Sequence, residues 1–363
     1  MTRVIEPVDY ETISDVPQEN ARAGPALSVL SVIGLVAGGV WVVWQIVKRT
    51  TFSRGWIESP PPWLRQIGLQ FSQVISVLLL GVPRPLGYWV SDRFGDYFYI
   101  RNVNLRANVE DNLRHVFSAG VSEATMQAAT KRVFRMQARN GFDLLRVPRV
   151  SLRRLERQTR LDGDWAVVDK TLAAGRGVIL VTAHYGAFDI MGQYIVHQGY
   201  DSWLLVGRTT SHFVHNAVTY LRKSNGWHIE QVDEPGSVRR MMKALKEGKL
   251  VSMVIDRDWT GNGVKTSFFG AETSLPNGHI RMALSTGAEI ITVMTPRLPG
   301  ERYGFILRHV PLQRTGDREA DVTENMHRVL ANLETTIRSD PGQWVLFRRV
   351  WPDKDKDEDK DVH

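Results

Sequence analysis

The spacing of apolar residues changes along the chain, and the change predicts helices first and an α/β arrangement afterwards. Apolar positions recur with helical period over residues 86–146, whereas short apolar runs alternate with helical segments from about residue 164. The strand-like runs are residues 178–183, 202–207, 228–232, 249–256, 290–296 and 303–310, and the clearest later helices are 237–246 and 321–338. Continuous apolar strands separated by helices are typical of parallel sheets covered on both faces. We therefore predict an α/β fold, with a mostly parallel central sheet flanked by helices and a helical N-terminal extension.

Residues 26–47 contain no charged side chain. As a helix this stretch would be ~33 Å long, which is enough to cross the ~30 Å hydrocarbon core of a bilayer. A cleaved signal peptide needs a basic leader, but residues 1–25 are acidic, and a buried core helix would show a polar stripe. Lys48 and Arg49 follow the stretch directly, so the positive-inside rule places the large domain in the cytoplasm. We predict a single transmembrane helix in the plasma (inner) membrane.

A second apolar stretch, residues 63–82, follows three consecutive prolines and has the pattern of an amphipathic helix. Such a helix can lie in the membrane interface or cover the main domain, and its pattern does not separate the two. The main domain is expected over residues 86–352. The tail, residues 353–363, is almost entirely charged and has nothing apolar to bury, so we predict that it is disordered.

The charge and cysteine content of the 363-residue chain limit the partners and the kinds of catalytic site that it can have. Lys and Arg number 46 against 39 Asp and Glu, a net charge of +7, which favours anionic lipids, phosphorylated substrates or acidic carriers as partners. The absence of Cys excludes a thiol nucleophile, a disulfide scaffold and thiolate-bound metal. His212 and His215 form an isolated H-x-x-H without an acid at metal-ligand spacing, and no G-x-S-x-G elbow is present. We expect no metal, no cofactor and no nucleic-acid partner.

The strongest candidate for catalysis follows the strand at 178–183. His184 comes just after this strand, and Asp189 lies five residues further on, in the first turn of the next predicted helix. Function in an open α/β sheet is concentrated at the carboxyl ends of the strands. Gly186 permits a sharp bend, so the Asp189 carboxylate could reach one imidazole nitrogen and leave the other free to accept a proton. This pair is predicted to act as a general base; a buried structural histidine is the alternative.

Charged residues also lie at the ends of two other predicted strands. Arg208 follows the strand at 202–207, and Arg222 lies near the end of the next helix; both are suited to phosphate, although solvated surface charge gives the same pattern. The acidic segment Asp256, Arg257, Asp258 begins at the last residue of the predicted strand at 249–256. Its carboxylates could hold a sugar hydroxyl, a metal or a catalytic histidine, or could cap a turn. Residues 259–278 are glycine-rich and aromatic and are predicted as a loop that matches no phosphate-binding fingerprint.

Six stretches carry a family resemblance in the same order. They are the segment around residues 102–117, HYGAFD at 184–189, LRKSNGWHI around Arg222, DRDWTGNGVKTSFFGAETSLPNG from residue 256, TGAEIITVMTPR at 286–297 and DPGQWVLFRRVWP at 340–352. Together with the H-x4-D spacing, the chain resembles the lysophospholipid acyltransferase superfamily. Within it, the likeness is to lipid A lauroyl/myristoyl acyltransferases and mycobacterial phosphatidylinositol mannoside acyltransferases.

The resemblance implies roles for individual residues. His184 would deprotonate the acceptor hydroxyl, Asp189 would orient it, and Arg222, with Arg208 as a weaker candidate, would hold a phosphate or a charged acceptor. Asp256 and Asp258 would lie at the rim of the substrate pocket, with Arg257 between them. The chain departs from the usual HFGNWE of the lipid A enzymes, because it has Ala187, Phe188 and Asp189, which is closer to the mycobacterial branch.

The resulting hypothesis is a membrane-anchored O-acyltransferase. It would move a long fatty acyl chain from acyl-CoA or acyl carrier protein to a hydroxyl of a glycolipid or phosphoglycolipid, with membrane lipids as its surroundings. One alternative is a metal-dependent glycosyltransferase-like enzyme that uses the segment from Asp256 to Asp258. Another is a membrane-tethered lipid-binding or scaffold protein that has lost the chemistry.

Overall fold

A computed structural model describes residues 79, 81–117, 120–146, 151–163, 165–207, 218–219, 222–223, 226–258 and 261–351. Within these ranges, residues 84–146 form the helices α1 (Arg84–Arg101), α2 (Val103–Val116) and α3 (Glu123–Arg146). α1 begins directly after Pro83 with another proline in its first turn, where the missing N–H is not needed for a helical hydrogen bond. Two paired sets of side chains hold α1 against α3: Arg135 on Asp96 and Arg139 on Asp92, with N–O distances of 2.6–2.9 Å.

The rest of the chain alternates between strands and helices. The strands are β1 (Thr159–Asp162), β2 (Val178–Thr182), β3 (Ser202–Val206), β4 (His228–Gln231), β5 (Leu250–Val254), β6 (Val264–Phe268), β7 (Ala271–Leu275), β8 (Glu289–Met294), β9 (Arg297–Leu298) and β10 (Arg302–Val310). The helices are α4 (Leu152–Gln158), α5 (Ala166–Ala173), α6 (Phe188–His197), α7 (Ser237–Lys246), α8 (Gly278–Thr286) and α9 (Arg318–Ser339), and a 3₁₀ turn follows at Pro341–Gln343.

Among the described residues, the central sheet has eight strands in the order β1-β10-β8-β2-β5-β3-β4, with β9 paired to β10. The run from β8 to β4 is parallel, whereas β10 is antiparallel to β8. In register, Thr182 of β2 lies opposite Val254 of β5, so these two neighbouring strands end at the same edge. The residues that follow each strand are therefore brought side by side.

Both faces of the sheet are covered by apolar layers. On one face, alternate residues of β2 and β5, such as Ile179 and Val251, pack with α9 residues such as Leu333. On the other face, Val178 and Leu180 pack with Ile195 of α6 and with the β10 side chain Phe305. A third cluster joins α2 and α3. Burial on both faces explains why β2 is apolar at nearly every position, since parallel strands have no solvent-facing side.

The predicted α/β fold, with a mostly parallel sheet flanked by helices, is confirmed. The loop predicted at 259–278 is wrong in part, because β6 and β7 form a hairpin there. Its two-residue turn has positive φ at Phe269 (51°) and Gly270 (80°), the geometry that two-residue hairpins favour, and a Phe at the first position conceals that signal.

Several sequence predictions concern residues outside the described ranges. These are the acidic segment 1–25, the membrane span at 26–47, most of the amphipathic helix at 63–82, and the tail 353–363. Among the helices that the structure describes, none combines the length and the apolar character that crossing a bilayer requires.

Candidate active site

Backbone hydrogen bonds fix the segment that carries His184 to two other parts of the chain. The carbonyl of His184 accepts from the N–H of Val345 at 2.7 Å, and the N–H of Gly186 donates to the carbonyl of Gln343 at 2.9 Å. Ala187 donates to Thr295, the residue after β8. Gly186 has φ of 60°, and a Cβ there would lie 2.0 Å from the Thr295 oxygen, so only glycine fits. The imidazole therefore projects from a rigid turn.

The carboxylate that contacts the His184 ring belongs to Asp256. Its Oδ1 lies 2.7 Å from Nδ1 of His184, and its Oδ2 accepts from the His184 backbone N–H at 2.9 Å. A third bond comes from the indole N–H of Trp344 to Oδ2, at 2.8 Å. This arrangement follows from the sheet, because β2 and β5 are parallel neighbours and Asp256 comes two residues after β5 as His184 comes two residues after β2.

Burial and hydrogen bonding act in opposite directions on Asp256. The side chain is completely buried, which by itself would raise its pKa. Its interaction with the charge of His184 and the hydrogen bonds from His184 and Trp344 outweigh the burial, so the pKa of Asp256 lies below its ordinary value of 3.8. Asp256 is thus an anion at neutral pH, with hydrogen bonds on both of its oxygens.

An ionised carboxylate accepts hydrogen bonds only, so Nδ1 of His184 carries the proton that points at Asp256. When the ring carries only this proton, Nε2 is an acceptor. The His184 side chain is 23% exposed, whereas Asp256 is not exposed at all, so only the imidazole is accessible to a substrate. Phe188 contacts the ring edge-to-face, with centroids 5.4 Å apart, and further restricts its orientation. This is the geometry of a general base whose tautomer is fixed by a buried acid.

Asp189 has a different partner from the one predicted. Its Oδ1 accepts two hydrogen bonds from Arg222, at 2.9 Å from Nε and 2.6 Å from Nη2. Between Asp189 and the His184 ring, both of which are described, the structure has no hydrogen bond. The expectation that Asp189 orients His184 is therefore corrected: the bend at Gly186 starts α6 immediately, and the first-turn carboxylate pairs with Arg222. The roles of Asp189 in catalysis and of Arg222 in binding remain predictions.

The other predicted site residues are Arg208, Asp256, Arg257 and Asp258, and their surroundings differ from those predicted or lie outside the described ranges. Asp258 accepts from the backbone N–H groups of Gly261 (3.1 Å) and Gly263 (2.7 Å), which come just before β6. Asp256 was expected at a pocket rim, and its complete burial corrects that expectation. Burial, followed by the nearby charge of Arg348, lowers the pKa of Arg257 to about 10. Arg208 lies outside the described residues.

The carboxylates of Asp256 and Asp258 are each engaged by N–H donors, which argues against their use as a paired metal motif. Within the described ranges, no group of three or more His, Asp or Glu side chains is arranged to hold a metal ion.

Sequence reasoning missed Trp344. It belongs to the stretch 340–352 that carries part of the resemblance, but no chemical role was attached to it. The indole is 1% exposed and packs edge-to-face on Phe268, which turns its N–H towards Asp256. A tryptophan in a segment that follows the last helix gives no indication of its partner, because the contact depends on how that segment returns to the sheet edge.

Comparison with known families places this geometry in context. The family model described as bacterial lipid A biosynthesis acyltransferase matches residues 61–353. The chain belongs to this family. The resemblance inferred from the sequence is confirmed, and the predicted enzyme class, an acyltransferase, is the class of the family.

The chain is also similar to two curated mycobacterial proteins. The chain is 26% identical over 212 residues to the phosphatidylinositol mannoside acyltransferase of Mycobacterium tuberculosis, a match that covers 58% of this chain and 66% of the relative. The phosphatidylinositol mannoside acyltransferase of Mycolicibacterium smegmatis is 26% identical over 220 residues, covering 59% of this chain and 69% of the relative. The match thus spans just under two thirds of the length of the first relative.

Proposed function

We propose that this chain is an O-acyltransferase that transfers a long fatty acyl chain from a thioester to a hydroxyl of a glycolipid or phosphoglycolipid. The observation that carries the proposal is the His184–Asp256–Trp344 arrangement, in which a buried anion is hydrogen-bonded to Nδ1 of an accessible imidazole. Membership of the acyltransferase family and the names of the mycobacterial relatives support the substrate class.

In the proposed mechanism, Nε2 of His184 takes the proton of the acceptor hydroxyl as its oxygen attacks the thioester carbonyl carbon. The new C–O bond forms, the C–S bond breaks, and the imidazolium returns the proton to the departing thiolate. Asp256 stabilises the transient imidazolium, because its charge lies 2.7 Å from Nδ1 and is shielded from solvent. Arg222, paired with Asp189, is proposed to hold the acceptor beside this base, and Arg208 and Arg257 are proposed to contribute positive charge.

The proposed location is a membrane surface, with the span predicted at residues 26–47 as the anchor. An exposed apolar face on α1 supports this: Trp89 is 56% exposed, Phe94 57% and Tyr97 56%. Aromatic side chains of this kind are favoured at the level of lipid headgroups. The basic net charge suits both anionic lipids and an acidic acyl carrier protein, so the donor is proposed to be acyl-CoA or acyl carrier protein.

The test uses the purified full-length protein with palmitoyl-CoA or palmitoyl-acyl carrier protein and a phosphatidylinositol mannoside acceptor. Mass spectrometry is expected to show an acceptor that has gained one acyl group, in the presence of a chelator. Donor binding without transfer would instead indicate a lipid-binding protein. Metal-dependent sugar transfer that survives the loss of His184 would indicate a glycosyltransferase, and either result would contradict the proposal.

A further inference from the structure

A small cavity lies between the start of α1, the end of α3, α4 and β10. We call it the arginine pocket; the lining side chains that matter here are Arg84, Asp143, Arg146, Arg154, Gln158 and Tyr303. Its volume is about 20 Å³, which is room for one group of the size of a water or a single oxygen. Ile190 of α6 forms part of its wall, so the pocket is adjacent to the helix that begins at the candidate active site.

Positive charge is in excess around this cavity. Arg84, Arg146 and Arg297 are buried, with exposures of 6%, 4% and 9%, and Asp143 is the carboxylate buried among them. Arg297 contacts Oδ2 of Asp143 at 2.7 Å, and the hydroxyl of Tyr88 donates to the same carboxylate at 2.9 Å. The Glu301 carboxylate is 3.9 Å from Nε of Arg84 and is partly exposed. The acid of the pocket is thus already occupied by Arg297.

Arg146 has more N–H groups without a partner than Arg297, of which Nε alone lacks one among the described residues. The Nε and Nη1 atoms of Arg146 are buried and have no hydrogen-bond partner in the part of the chain that the structure describes. The guanidinium lies over the ring of Phe142, 5.0 Å from its centre. Burial has the largest effect and lowers the pKa of Arg146; the charge of Asp143 opposes it, and the charges of Arg154 and Arg84 lower the pKa further. A buried guanidinium with free N–H groups is costly, and an anion supplied from outside would relieve that cost.

We propose that the arginine pocket is a phosphate-binding site, in which one phosphate oxygen enters the cavity and accepts from Arg146. The remaining oxygens would face the exposed Arg154 at the mouth. Guanidinium groups match phosphate because their parallel N–H donors form paired, charge-assisted hydrogen bonds with its oxygens. The site is independent of the proposed acyl transfer, since neither His184 nor Asp256 takes part in it. The phosphate could come from solution or from the headgroup of an anionic phospholipid.

The test measures the melting temperature of the purified full-length protein in sodium phosphate and in sodium chloride of equal ionic strength. Phosphate is expected to raise the melting temperature of the wild type above the chloride value, because a ligand that binds only the folded state stabilises it. Arg146→Gln should lose this difference. Arg153→Gln, on the same helix as Arg154 but not lining the pocket, is the matched control and should keep it.

If Arg146→Gln does not fold, a second variant at an exposed residue tests the same pocket. Arg154→Gln changes an exposed side chain and is expected to weaken phosphate affinity about tenfold by titration calorimetry, the effect of losing one hydrogen bond to a charged group. Equal phosphate affinity in the wild type and in both pocket variants, or no difference between phosphate and chloride, would overturn the proposal. His184→Ala should bind phosphate normally, so failure here is distinct from failure of the proposed function.

Vesicle sedimentation distinguishes a phospholipid headgroup from phosphate in solution as the source of the bound phosphate. A lipid source predicts that phosphatidylglycerol vesicles bind the wild type more than Arg154→Gln, with Arg153→Gln like the wild type. A source in solution predicts no difference with vesicles while inorganic phosphate still discriminates between the proteins. Either result supports the pocket, provided that phosphate raises the melting temperature of the wild type above the chloride value; without that increase the proposal fails, whatever the vesicles show.

Discussion

Asp256 is next to His184 in space, and Asp189 is near it in the sequence. The surroundings of the two carboxylates differ. Asp256 follows β5, is fully buried and accepts hydrogen bonds from His184 and Trp344. Asp189 lies on the first turn of α6, is partly exposed and accepts from Arg222. The partner of His184 is thus Asp256, which follows the neighbouring strand, and not Asp189, which is five residues further along the chain. In a parallel sheet, adjacent strands bring distant residues to one edge.

The two carboxylates also differ in what they can do for catalysis. Asp256 is held as an anion in a fully buried position, where its charge acts strongly on the neighbouring imidazole. Asp189, in the first turn of α6, forms an ion pair with Arg222. We therefore infer that Asp256 acts through His184, and that Asp189 acts through Arg222. The following predictions test that division, starting with the largest effect.

Replacing His184 by alanine removes the base itself and is expected to lower the rate of acyl transfer about 1000-fold. The backbone bonds of residue 184 to Asp256 and Val345 do not need the imidazole, so the variant should remain folded. The measurement is the initial rate of acyl transfer, with circular dichroism as the check of folding. His327→Ala, at an exposed position of α9, is the control and should keep wild-type activity. Full activity of His184→Ala would exclude the proposed base.

Asp256→Asn keeps the shape of the side chain but removes its charge, and the rate is expected to fall about 100-fold. An amide no longer stabilises the imidazolium and no longer fixes the proton on Nδ1. Asp201→Asn, at a partly exposed aspartate before β3, should have little effect in the same assay. Wild-type activity in Asp256→Asn would mean that the buried contact has only a structural role.

Asp189→Asn and Arg222→Gln are each expected to reduce transfer about tenfold, with similar losses because they remove the same ion pair. The double variant should be no slower than the slower single variant, since residues that act as one unit do not give additive losses. The measurement is the set of rates for the two single variants and the double variant. Losses that multiply would show that the two residues act separately.

The smallest effect concerns stability in acid. Because the folded-state pKa of Asp256 is below its ordinary value of 3.8, its stabilisation is fully present above that value and is lost as the pH falls through the lower folded-state pKa. At pH 6, Asp256→Asn should be less stable than the wild type by about 1–3 kcal/mol. Urea unfolding should show that this difference narrows below pH 4. A difference that stays constant down to pH 3 would contradict the assigned direction.

Much of the fold could be predicted from the sequence, because β2 and β5 are buried on both faces and therefore read as continuous apolar runs. The reactive strand ends could be predicted for the same reason: His184 and Asp256 directly follow such runs. Their contact could not, because the order of strands in the sheet is a tertiary property. The hairpin at Phe269 was hidden by a bulky residue in a conformation that usually takes glycine or asparagine. The arginine pocket was missed because its members come from separate helices and a strand.

The most direct test of the central claim compares acyl transfer by His184→Ala, Asp256→Asn and the double variant. If Asp256 works through the imidazole, removing it from a protein that already lacks the imidazole changes nothing further, and the double variant matches His184→Ala within about threefold. If the double variant is slower than His184→Ala by the full factor that Asp256→Asn causes alone, Asp256 acts independently of His184. That result would contradict the account.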